Sequence, residues 1–284
     1  MIPANALSVL TPAELNKVDC FAGVSTGGIL ALAAAAEYTF AEVEQLYKRW
    51  IPEIFKARSW WDKIWRLDEI RRANYDNGGL IRACERVFGD MLMSDLLADV
   101  VIPSVHLDGY DPDSGVRCAQ TTWHTRNMPE AKKTKVWEVA VKTSSAPVYF
   151  PSYKGHVDGG ISVNNPAGKA VQLAHAMGYS LENISVLAVT TGSAPLFKDQ
   201  DRTDWGLLQW GPDIIQMIMR LGEQGSLDLL KLSDLGFYEI ADFSLPKQIS
   251  LDDVKWSAAF NASSYSAKSA GSAIQKFRGV IANG

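Results

Sequence analysis

The feature that most narrows the folds open to this chain is the pentapeptide Gly23-Val24-Ser25-Thr26-Gly27, followed by Gly28, because of where it falls. An apolar run from Val18 to Val24 leads into it, and an Ala-rich stretch from Gly28 to Ala36 leads out. The run has the length of a strand and the stretch has the composition of a buried helix. Strand, sharp turn and helix are the context a nucleophile elbow demands. A chain that doubles back around a serine needs neighbours without side chains, which Gly23, Gly27 and Gly28 supply. At the start of the helix, Ser25 meets free N–H groups and the positive end of the helix dipole, and the Thr26 N–H is the natural oxyanion donor. The same residues also suit a serine that only caps a helix, or a phosphate cradled at a helix N-terminus. No Walker-type lysine follows the turn and the G-x-G-x-x-G spacing is absent, so the phosphate reading ranks far behind.

The rest of the chain alternates between helix and strand signals. Thr39 precedes Glu42 between apolar Tyr38 and Val43, a capping box with a hydrophobic staple, and opens a helix from Phe40 to about Trp50. Leu80, Ala83, Cys84, Val87 and Phe88 recur at helical spacing and stop at Gly89. Val100 to Leu107 and Val116 to Trp123 read as neighbouring strands around the turn-rich Asp108 to Gly115. Val136, Val139 and Ala140 mark a helix ending near Pro147. Asn165 caps a further helix that has Pro166 at its first position and Gly178 as its stop, and Ile184 to Thr191 is a continuous apolar strand. In the run from Trp205 to Leu221, Ile214, Ile215, Ile218 and Leu221 have the spacing of a core helix. Leu227 to Leu232 is helical, and Ser257 to Ala282 closes the chain as a small-residue helix. No linker or repeat interrupts residues 1–284, so the expectation is one domain, a three-layer α/β/α sandwich around a mostly parallel central sheet.

A serine hydroxyl needs a base. The chain has His106, His124, His156 and His175, and in the Ser-Asp-His order of α/β-hydrolases an Asp158 partner leaves only His175 downstream. His175 falls inside a predicted helix, where a structural or surface role suits it better. Asp158 heads Asp158-Gly159-Gly160, a carboxylate in a glycine-rich loop just ahead of a capped helix, and a carboxylate in direct contact with the serine can serve as base.

Three ordered blocks then carry a resemblance: DCFAGVSTGG from Asp19 to Gly28, TSSAPVYFP from Thr143 to Pro151, and DGGISVNNPA from Asp158 to Ala167. The chain resembles the patatin-like phospholipase family. The resemblance implies a Ser25–Asp158 dyad without metal or cofactor, acting on phospholipids or related acyl lipids through an acyl-serine intermediate. It implies that Asp158 also activates the deacylating water, and that Gly159, Gly160, Asn164, Asn165 and Pro166 hold the loop that carries it. Family members begin with a strand and a D-G-G-G-x-R-G loop that completes the oxyanion hole, and Met1-Ile2-Pro3-Ala4 matches what should follow that loop. One oxyanion donor is worth about 100 to 1,000-fold in rate. The expectation is that the natural protein starts upstream; the alternative is a catalytically impaired lipid-binding or interaction protein on the same fold. An absent strand would leave a sheet edge exposed. Lys142 stands where the family has a small residue, and either alters the pocket or faces solvent.

A net charge of -4 gives no support to a nucleic-acid partner. Cys20, Cys84 and Cys118 are too irregularly spaced for a zinc cage and fit free thiols in a reducing compartment, which makes the cytoplasm the expected location. Met1 to Asn5 carries no basic leader, and no apolar run reaches the roughly 18 residues of a spanning helix. Contact with a membrane would then be peripheral, through the basic-aromatic stretch that holds Trp60, Trp61 and Trp65; the rival reading packs those rings inward.

Overall fold

The computed structural model of the chain describes residues 2–56, 73–111, 113–192, 207–243, 245 and 268–283. The short helices α1 (Ile2–Leu7) and α2 (Pro12–Leu15) lead to strand β1 (Cys20–Ala22), then to helices α3 (Thr26–Ala35), α4 (Phe40–Ile54) and α5 (Gly78–Phe88). Strands β2 (Asp99–Tyr110) and β3 (Arg117–His124) precede α6 (Val136–Ser144) and β4 (His156–Asp158). Helix α7 (Ala167–Ala176), strand β5 (Ser185–Val189), helix α8 (Leu207–Lys231), strand β6 (Phe237–Ala241) and helix α9 (Lys268–Asn283) complete the order. The α/β architecture expected from the alternating signals is present. Trp60, Trp61 and Trp65 lie outside the described residues, and no helix among those described is long and apolar enough to cross a membrane.

Strand β2 is the spine of the site. Its first residues pair in parallel with β1, Ala22 opposite Val101, while β3 and β4 pair with it antiparallel farther along. Residues 104–106 bond to β3 and β4 at once, so those two strands take opposite edges of β2. In this way β2 gathers the end of β1, which precedes Ser25, and the end of β4, which is Asp158, although they are far apart in the chain. Helices α3 and α6 cover the sheet at this point, and Leu32, Val100, Val101, Ile102, Val136 and Val139 are buried almost completely. Full burial of each such side chain is worth roughly 1.5–3 kcal/mol. Strands β5 and β6 form a separate parallel pair. Among the described residues, the second edge of β1 and the second edge of β5 have no strand partner, and both strands line one cleft.

The local signals hold where they are local. Thr39 accepts the Glu42 N–H at 3.2 Å while Glu42 accepts the Thr39 N–H at 2.8 Å, and α4 continues through Pro52 in its last turn, beyond the expected end at Trp50. Gly89 and Gly178 end their helices with φ of +52° and +101°. Asn165 Oδ1 accepts the Ala167 N–H at 3.0 Å as a cap should, but α7 begins at Ala167, a residue later than the Pro166 start expected. One expectation fails: Ile214, Ile218 and Leu221 are exposed at 39%, 43% and 58%, not core. Periodicity fixes which residues share a helix face, not which face is covered, and α8 turns Met219, Arg220 and Glu223 to the cleft instead.

Candidate active site

Ser25 sits between β1 and α3 with φ 55° and ψ −131°, a region that non-glycine residues enter only under strain of order 1–3 kcal/mol. The strain is held from several sides. A Cβ on Gly23 would stand 2.1 Å from the Gly27 carbonyl oxygen, and one on Gly28 would stand 2.8 Å from Thr143 Cγ2, so both positions require glycine. Gly27 is different, since a Cβ there meets nothing within 4 Å. The expectation that all three glycines avoid collision is therefore corrected for Gly27. Thr143 holds the turn: its Oγ1 accepts the Ser25 N–H at 3.1 Å and donates to the Pro103 carbonyl at 2.6 Å. Sequence reading passed over Thr143, although it begins the block TSSAPVYFP.

Ser25 is at the N-cap position of α3 but its side chain makes no capping bond, which removes the reading of a simple capping serine. Thr26 is the first residue of α3 and is exposed, so its N–H belongs to the donors a helix start leaves open. Its carbonyl accepts the Tyr47 hydroxyl at 2.6 Å, which ties the elbow to α4.

Asp158 ends β4 and is 1% exposed. Its backbone N–H donates to the Ser145 carbonyl at 3.0 Å, and Oδ1 accepts the Gly160 N–H at 2.8 Å. Oδ2 is sealed from solvent without a hydrogen bond. Burial pushes the carboxyl up to about 6, against the opposing pulls of the Ser25 hydroxyl and the Gly160 N–H. The Ser25 hydroxyl is thus near enough to pull the Asp158 carboxyl down, although no formed hydrogen bond joins Oδ2 to it. Gly159 is obligatory, because a Cβ would stand 2.3 Å from the Pro103 carbonyl oxygen. Gly160 packs under Met219, whose Cε lies 2.6 Å from where a Cβ would be.

Ser25 opens on a cleft of about 1060 Å³, and Asp158 lies buried beneath its lining. Ser25, Thr26 and Gly27 line it together with Asn164, Asn165 and Pro166, and Tyr47, Ile51, Tyr149 and Phe150 give it apolar walls. Glu223 reaches it from α8; burial first, then Asp242, pushes its carboxyl up to about 7, and Arg220 opposes the shift. His175 is exposed on α7, its Nδ1 donating to the Tyr179 carbonyl at 3.0 Å, away from the cleft. Lys142 does not enter the cleft either; it is half-buried beside His124 and His156. Cys20, Cys84 and Cys118 are free thiols. Among the described residues no group of three or more His, Cys, Asp or Glu side chains is placed to hold a metal.

Comparison with known proteins gives the same direction. The family profile described as Patatin-like phospholipase matches residues 1–171. The Putative sporulation hydrolase CotR of Bacillus subtilis is 28% identical over 209 residues, covering 72% of this chain and 62% of that protein. The cGAMP-activated phospholipase of Pseudomonas aeruginosa is 26% identical over 251 residues, covering 82% of this chain and 70% of that protein. For the 85/88 kDa calcium-independent phospholipase A2 of Rattus norvegicus the identity is 27% over 207 residues, covering 64% of this chain and 24% of that protein. The match takes in 62% of the length of the first of these relatives and less than a quarter of the last.

Proposed function

The chain belongs to the patatin-like phospholipase family, and from that premise we propose that it is a lipid acyl hydrolase acting through Ser25 and Asp158. The observation that carries the reading is a strained serine at a helix start with a buried carboxylate beside it, at the mouth of an apolar cleft. Asp158 accepts the Ser25 proton as the serine oxygen adds to the ester carbonyl. The oxyanion so formed faces the Thr26 N–H, and collapse expels the alcohol, which takes the proton from Asp158. Water then adds to the acyl-serine with Asp158 as base, releasing the fatty acid and restoring the hydroxyl. A carboxyl near 6 is mostly ionised at neutral pH yet far more basic than an ordinary aspartate, which suits both roles.

The cleft supports phospholipids or related acyl lipids as substrates, because its volume and apolar walls fit an acyl chain beside the serine. A second oxyanion donor belongs to this reading. Among the described residues, the second edges of β1 and β5 have no strand partner, and both strands border the cleft. The test is hydrolysis of phospholipid vesicles and a p-nitrophenyl ester by this chain, by a form extended upstream of Met1 with a strand and a glycine-rich loop, and by Ser25→Ala and Asp158→Asn in each. Activity that survives Ser25→Ala removes the proposal. Vesicle binding without hydrolysis in either form favours the lipid-binding alternative.

A further inference from the structure

Behind Asp158 lies a buried polar cluster that the dyad does not use. Ser104 is completely buried, and its hydroxyl stands 2.8 Å from His124 Nε2 and 2.9 Å from His156 Nδ1. A hydroxyl has a single proton to give, so between two neutral rings it donates to one and accepts from the other. That couples the two tautomers: one imidazole presents a bare nitrogen to Ser104 and the other an N–H. His156 also stacks on His106, with ring centroids 4.5 Å apart and planes at 22°.

Three facts tie this cluster to the base. Ser104 is the cross-strand partner of Asp158 in the β2–β4 register. His156 precedes Asp158 by two positions on the same strand, which puts the two side chains on one face. Strand β4 is only three residues long, so its backbone ladder alone is a weak anchor for a residue that must be placed accurately. We propose that Ser104, His124 and His156 are positioning residues for the acyl-transfer reaction: a side-chain clamp running from β3 through β2 to β4 that holds Asp158 against Ser25 and keeps its rear free of charge.

The surroundings keep the clamp neutral. Burial pushes His124 down to about 3 and His156 down to about 4, and for both rings the next cause is the Lys142 ammonium, which faces them from α6. His106 faces His156 from β2, and Glu138 and Glu130 counter the lowering of Lys142 while Lys154 adds to it. A cationic imidazole this near would draw the Asp158 carboxyl down and weaken it as a base. Half-buried Lys142 adds to the effect of burial by repelling a proton from the two rings.

The clamp matters to turnover only if Asp158 is the base, so the experiment reads the carboxylate directly as well as the rate. Parent, Ser104→Ala and Ser104→Thr are compared by kcat and KM on a short-chain ester across pH, and by carbon-13 titration of the Asp158 carboxyl, assigned with Asp158→Asn. In Ser104→Ala we expect kcat to fall about tenfold with KM within about twofold, and the Asp158 titration to move from about 6 toward the ordinary 3.8 as water enters. Ser104→Thr, which keeps the hydroxyl, restores both. Loss of thermal stability in Ser104→Ala with kcat and the carboxyl titration unchanged overturns the proposal, as does nitrogen-15 evidence that His124 or His156 protonates near its ordinary value. If neither the parent nor the upstream-extended form turns over ester, the dyad reading fails, and the carboxyl titration still decides whether the clamp sets Asp158. Should Ser104→Ala not fold, His124→Asn carries the same readouts.

Discussion

Replacing Asp158 with Asn should abolish hydrolysis and stabilise the protein at the same time, and the second effect should depend on pH. The carboxyl is pushed from 3.8 up to about 6 by burial, so the folded state resists its ionisation. A group raised in this way adds stability that is complete below the unfolded pKa and is lost as pH rises through the folded pKa. Above pH 6 the parent carries the whole cost, about 3 kcal/mol. At pH 5 roughly half of that cost remains, and at pH 4 most of it is gone. Asparagine keeps the acceptor for the Gly160 N–H and never ionises. Its amide also gives the site of Oδ2, now without a partner, an N–H that can donate to Ser25. Urea melts of both proteins at pH 4 and pH 8 measure the gap, which should correspond at pH 8 to roughly 6–12 °C in Tm for a chain of this size. A gap that is the same at both values, or no gap at pH 8, refutes the account of a carboxylate kept costly by burial.

Other substitutions separate packing from chemistry. Gly23→Ala drives a methyl to 2.1 Å from the Gly27 carbonyl and should yield a protein that is inactive and melts far below the parent. Gly27→Ala, with open space for its methyl, should fold and gain about 0.5–1 kcal/mol from helix propensity, which thermal melts will show. Thr143→Val keeps the shape but deprives the Ser25 N–H and the Pro103 carbonyl of their partner; a loss of about 1–3 kcal/mol and a fall in kcat should follow, read by urea melts and ester kinetics. Acid should destabilise the fold well above the usual carboxylate range. His124 and His156 are depressed from 6.5 to about 3 and about 4, so the stability they contribute is complete above 6.5 and is lost as pH falls through those lower values. Replacing His124 by Asn should flatten that acid limb in melts recorded from pH 7 to pH 4.

What the sequence disclosed was what short stretches of chain decide for themselves. The capping box at Thr39, the stops at Gly89 and Gly178 and the strand–turn–helix around Ser25 are all set by residues within a few positions of one another. The functions of Gly23 and Gly27 could not be told apart, because the difference is one carbonyl oxygen standing against one position and open space beside the other. Thr143 had no local signal for its role, since the atoms it bridges belong to the elbow and to β2. The face of α8 was misread for the same reason: Ile214, Ile218 and Leu221 are arranged as a core face would be, and only the neighbours decide that Met219 and Glu223 turn to the cleft.

On the proposed mechanism, one physical cause favours an aspartate over the chain's histidines as the base. Desolvation penalises whichever form of a group is charged. It therefore moves acids and bases in opposite directions, and within a few residues of β4 it does both. Asp158 rises to about 6, close to the ordinary value of an imidazole, while His156 falls to about 4 and His124 to about 3, where an ordinary carboxylate would stand. Burial has exchanged the basicities of the two residue types, so at neutral pH the carboxylate is the stronger base and the imidazoles are inert hydrogen-bonding groups. A histidine placed at residue 158 would be depressed like its neighbours and would lose the basicity for which histidine is usually chosen. Asp158→His should therefore fail to restore turnover at any pH above 5, although a serine–histidine pair is the commoner arrangement for this chemistry. Recovery of a tenth of the parent rate by that variant near pH 7 would show that the pocket does not impose the exchange.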